Sequence, residues 1–202
     1  MKTHLRLLTV GAAGLTLALG SLVAIKAADE EKDPRNDVLA MAKLIESNDL
    51  EGAKKRAKTL DADLDPEDVM SAFSLRSEKG KGGVGIGDTP GAITPDGIEK
   101  KVQDLAEKKP LTPKALDKQA KALERAGYIA AAVAIAVQDR PPVKEKEGDK
   151  DPNDWKKWAG EMHQAAREFA AAAKAKNPKL VKEAATKLND SCIRCHKVFK
   201  ES

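Results

Sequence analysis

The sequence predicts an all-α protein, a four-helix bundle with a long Gly-rich insertion between the first and second long helices. Three observations carry this. Ala, Leu, Lys and Glu are abundant in a chain of 202 residues that is 34% charged and only 3% aromatic, and these side chains lose little freedom on a helix. No β-branched alternation is long enough to seed a strand. Seven of the ten prolines follow Asp, Asn or Thr, and six of these pairs read as helix starts: Asp33-Pro34, Asp65-Pro66, Thr94-Pro95, Thr112-Pro113, Asp151-Pro152 and Asn177-Pro178. A short polar side chain accepts from the free amides at a helix start, and proline at the first helical position forfeits no bond.

In chain order, residues 1–27 read as an export signal, with basic Lys2 and Arg6, an apolar run from Leu7 to Ile25, and a small-residue cut at Ala27. The competing reading is an uncleaved anchor, since the run approaches a membrane-spanning length. Residues 28–202 then form one domain. Its first helix spans about 34–60, with Val38, Met41, Ala42 and Ile45 on one face and a break or bend at Ser47-Asn48-Asp49. The insertion, 61–111, holds a short helix from Pro66 to about Arg76. The segment Gly80–Gly87 follows, then a second short helix from about Pro95 to Glu107. Three long helices complete the bundle, at about 113–139, 152–175 and 178–200. Each carries an apolar stripe, such as Trp155, Trp158, Met162, Ala165 and Phe169 on the second of them.

The formal charge of +4 falls away with the leader. Without Lys2, Arg6 and Lys26, the 36 basic residues become 33 against 32 acidic ones. A nucleic-acid partner, which calls for a strong basic excess, is not expected. The Gly80, Gly82, Gly85 pattern resembles a dinucleotide fingerprint only formally, because no strand precedes it.

The chemistry concentrates in Cys192-Ile193-Arg194-Cys195-His196, which holds the only two cysteines. On a helix, positions i, i+3 and i+4 share a face. Two cysteines so spaced can form thioethers to the vinyl groups of one haem, and the following His can bind its iron. Two other readings exist. A redox Cys-x-x-Cys normally opens a helix after a strand. A zinc site needs four ligands, and outside the leader only His163 and His196 are available besides acids. His163 lies off the apolar stripe of its helix and is expected to be exposed.

A haem motif on the last helix of a four-helix bundle resembles the class II c-type cytochromes, the cytochrome c′-like family. The family motif typically continues with an aromatic residue and then a basic one, where this chain has Phe199 and Lys200. The resemblance implies one covalent haem c held by Cys192, Cys195 and His196, with Phe199 packed nearby. It also implies a periplasmic location, redox partner proteins, no stable membrane insertion after cleavage, and a homodimer as one available assembly. Family members either leave the iron five-coordinate or bind it with a methionine from the first helix. Met41 stands where that ligand is expected, although a Met on an apolar stripe also serves as core filling; Met70 in the insertion, Met162 on the stripe of its helix and His163 are the other candidates. Ligation would suit electron transfer between proteins; an open iron would suit binding of small gases such as NO or CO. A haem enzyme is disfavoured, because His163 is the only histidine left for a distal acid–base role. The Gly-rich segment is expected to be a flexible flap, with Arg76, Lys79 or Lys81 near the haem propionates, or else a plain solvated loop.

Overall fold

The computed structural model describes residues 33–200, so the leader lies outside the described residues. Among these residues there are seven α-helices and no strand, as the composition implies. In order they are α1 (Pro34–Glu46), α2 (Leu50–Ala57), α3 (Pro66–Met70), α4 (Ile98–Glu107), α5 (Pro113–Gln138), α6 (Pro152–Lys174) and α7 (Pro178–Phe199), with a 3-10 turn at Ser71–Phe73. None of them is long and apolar enough to cross a membrane.

The proline-led starts form as the sequence implies. Asp33, Asp65, Thr112, Asp151 and Asn177 each cap a helix through the side chain, with proline in the first turn. Thr94-Pro95 is the exception, and α4 begins only at Ile98. Its N-cap is Gly97, with no side-chain cap, and the Asp96 carboxylate beside it is taken up by the amides of Ile86 and Gly91 and by Arg76. The long first helix is two helices. Asn48 takes a left-handed φ of 66°, and Asp49 restarts the chain by accepting from the Gly52 amide.

Three long helices make the body of the bundle, with α6 between α5 and α7. The α5–α6 interface is built from small residues. A Cβ at Gly127 would lie 2.8 Å from the Ala170 Cβ, so only glycine lets these helices approach so closely. The fourth side is shared. Helix α1 packs on α5, α4 packs on α7, and α3 with the 3-10 turn bridges them. Arg140 ties α5 to the end of α2 through the carbonyls of Ala57 and Leu60, and Lys182 of α7 donates to those of Ala106 and Lys108 at the end of α4.

The Gly-rich segment is not a flexible flap. Its ends are drawn together by a buried clasp in which the Asp96 carboxylate accepts from Arg76 Nε at 3.0 Å and Arg76 Nη2 at 3.2 Å. The same carboxylate accepts from the Ile86 amide at 2.8 Å and the Gly91 amide at 2.9 Å. Arg76 also donates to the carbonyls of Gly87 and Thr89. Gly82 crosses this strip with φ 97°, and a Cβ there would come within 2.2 Å of the Leu75 carbonyl oxygen. Arg35 of α1 donates to the Gly82 carbonyl, fastening the segment to the bundle.

Candidate functional site

The Cys-x-x-Cys-His side chains stand on the last two turns of α7. Cys192, Cys195 and His196 are all half-buried and line one cavity of about 200 Å³. Its wall is mostly apolar, with Phe73, Val102, Ala130, Met162 and Leu188, while Glu99 and Gln103 of α4 add polar edges. A second, wider cavity of about 630 Å³ shares His196, Met70 and Glu99 with the first. It is more polar, bordered by Lys150, Lys200 and Glu67 as well as Trp155 and Phe199.

Burial pushes the Cys192 thiol up to about 12, and the Glu99 carboxylate adds to the shift. Burial also pushes Cys195 up to about 11, against a smaller opposing effect of Arg194. Both sulfurs lie near the C-terminal end of a helix, where the dipole disfavours a thiolate. A redox dithiol needs the opposite environment. Among the described residues, no cluster of three or more His, Cys, Asp or Glu could hold a metal ion, which leaves a zinc reading without a ligand set.

The turn carrying His196 is braced from beneath. Phe199 is buried, with its ring edge-on to Trp155 at 5.2 Å and to Trp158 at 5.7 Å between centroids. Trp155 Nε1 donates to the Val137 carbonyl at 2.7 Å, linking this aromatic group to the end of α5. Arg194 lies over the Trp158 ring at 5.5 Å and pairs with Glu161. The two tryptophans thus act in packing, and that packing fixes the orientation of the α7 terminus.

The family described as Cytochrome C′ matches residues 97–200, just over half of the chain. The chain belongs to the cytochrome c′ family. No curated protein and no solved structure matches it. The match opens at α4, so the first matched helix is one that the sequence reading assigns to the insertion. Residues 33–96, including α1, lie N-terminal to the matched span.

A haem fits the donor set of this cytochrome c′ relative. An apolar cavity meets the two sulfurs and the imidazole, and a polar mouth with Lys150 and Lys200 adjoins it. Of the residues singled out in sequence, Cys192, Cys195 and His196 come together, and Phe199 borders the outer cavity. Met41 does not join them. It is fully buried in α1 and lines neither cavity. Arg76 is committed to Asp96, and Lys79 and Lys81 are exposed and border neither cavity. His163 is half-buried rather than exposed. Its Nε2 has no hydrogen-bond partner among the described residues, and burial with the nearby Arg167 and Lys54 lowers its pKa. Sequence reasoning missed Phe73 and Glu99 as parts of the site, and it held Met70 as a candidate ligand that it could not place. Their segments are too short to show a stripe, although Asp65-Pro66 does announce the helix that ends at Met70.

Proposed function

We propose that the protein is an exported c-type cytochrome with one haem, bound through thioethers at Cys192 and Cys195 and through His196, that passes electrons between protein partners. The observation that supports this best is the convergence of the three motif side chains on a single mostly apolar cavity of about 200 Å³. A haem bound there would supply one-electron exchange between ferric and ferrous iron.

The chain's own residues have separable tasks in this reading. The thiols remain protonated until they are consumed, which suppresses disulfide formation before the haem is attached. Val102, Ala130, Met162 and Leu188 would keep water from a haem held in this cavity, and a dry, apolar setting favours the less charged reduced centre. Phe199 and the tryptophans hold the His196 turn in place. The role is that of a carrier, with no turnover of a substrate. The aqueous mouth at Lys200 and Phe199 leaves one side of the site accessible to partner proteins.

The test is maturation of the full chain in a host that attaches c-type haem. One haem per chain that survives denaturation, is lost in C192A/C195A, and titrates reversibly with one electron supports the reading. A chain without covalent haem rejects it. A five-coordinate iron that takes up CO or NO without hindrance rejects the carrier role in favour of gas binding.

A further inference from the structure

The described residues contain three methionines, Met41, Met70 and Met162, and they differ in their relation to His196. Met41 lines neither of the two cavities that His196 borders, Met162 lines the inner one, and Met70 lines both. Met162 is nearly buried within the apolar stripe of α6, a 23-residue helix that cannot move it independently. Met70 is half-buried, at the point where α3 gives way to the 3-10 turn. Three residues later Phe73 enters the inner cavity beside the cysteines.

We propose that Met70 supplies the second axial ligand to the haem iron, an assignment that rests on the haem reading above. A thioether is a neutral, soft donor, and its pairing with imidazole gives a six-coordinate, low-spin centre of raised potential. The segment that carries Met70 is built to hold it. Immediately downstream, Arg76 joins the chain to Asp96 at the entry to α4, and Arg35 joins Gly82 to α1. The chain that follows Met70 is therefore anchored to both parts of the fourth side of the bundle. On this assignment the N-terminal segment, which lies before the matched span, closes the iron to external ligands.

The experiment compares the matured wild-type chain with Met70→Ala, Met70→Leu and Met162→Leu. The leucine variants keep the apolar bulk and remove only the sulfur. Covalent haem content and helical circular dichroism are recorded for each, then the oxidised optical and paramagnetic resonance spectra and azide affinity. The expected result is a low-spin wild type and a low-spin Met162→Leu. Both Met70 variants should be high-spin and bind azide at least roughly tenfold more tightly, because no internal ligand competes. A haem-loaded wild type with the same spin state as Met70→Leu overturns Met70 as ligand and leaves the haem reading standing. So does a loss of the low-spin state in Met162→Leu alone. A wild type without covalent haem overturns both.

Discussion

Replacing Arg76 by alanine strips the clasp of its cation and leaves the Asp96 carboxylate where it is. Asp96 is only 8% exposed, and the Arg76 side chain only 11%, so solvent screens the pair little. Two charge-assisted hydrogen bonds to the carboxylate disappear, together with the donors to Gly87 and Thr89. Breaking a buried pair by removing one partner costs about 3–5 kcal/mol. The Ile86 and Gly91 amides still serve the carboxylate, which puts the expectation near the lower end, about 3 kcal/mol, or more than a hundredfold in the unfolding equilibrium. The assay is urea denaturation followed by circular dichroism, with Arg76→Ala, Asp96→Asn and the double variant forming a cycle. The two singles should cost more in sum than the double, because each alone strands the other's partner. The pH dependence has a definite sign. Burial raises the Asp96 pKa, but the hydrogen bonds from Arg76, Gly91 and Ile86 outweigh it and hold the folded value below the usual carboxylate range. The clasp therefore contributes fully above the unfolded pKa, and the contribution is lost as pH falls through the lower folded value. A loss under about 1 kcal/mol, or additive singles, would refute a buried clasp and return the segment to a solvated loop.

Three further outcomes follow from the packing and the thiols. In the chain before haem attachment, Cys192 and Cys195 should alkylate with iodoacetamide at pH 8 roughly a hundredfold or more slowly than in denaturant, given thiols at about 12 and 11 against an ordinary ~8.5; equal rates would mean that burial does not restrain them. Gly127→Val forces a Cβ into the 2.8 Å approach of Ala170 and should cost about 1–3 kcal/mol, read as a lower urea midpoint; a neutral result would mean α5 and α6 are not tightly apposed there. Phe199→Ala removes a buried ring held edge-on to two tryptophans and should cost about 3–5 kcal/mol, whereas a loss below about 1 kcal/mol would show that the α7 terminus does not depend on this packing.

The long helices were legible because their signals are local and redundant. Asp151-Pro152 and Asn177-Pro178 state the start, the apolar stripe states the face, and both agree over more than twenty residues. The Cys-x-x-Cys-His motif was legible for a similar reason, since helical spacing alone puts its side chains on one face. The divided first helix was half legible. Asn48 and Asp49 announce a break, but whether the chain bends or restarts depends on the left-handed turn at Asn48 and the Asp49 cap. The export signal falls outside the described residues.

What could not be read was the far side of the cavity, and the reason is physical. Distal residues are chosen by which element crosses the fourth side of the bundle opposite α7, a question of tertiary contact rather than period. The sequence offers Met41 on a clear stripe, and a stripe promises burial. Burial is what Met41 has, against α5 and not beside the motif. Met70 sits on a five-residue helix too short for any stripe, just before a segment that Arg76 pins to a carboxylate twenty residues on. The pairing of Arg76 with Asp96 leaves no periodic trace. Its only local sign is negative: Asp96 fails to cap α4, and an acid drawn away from a helix start is a reason to look for the cation that holds it.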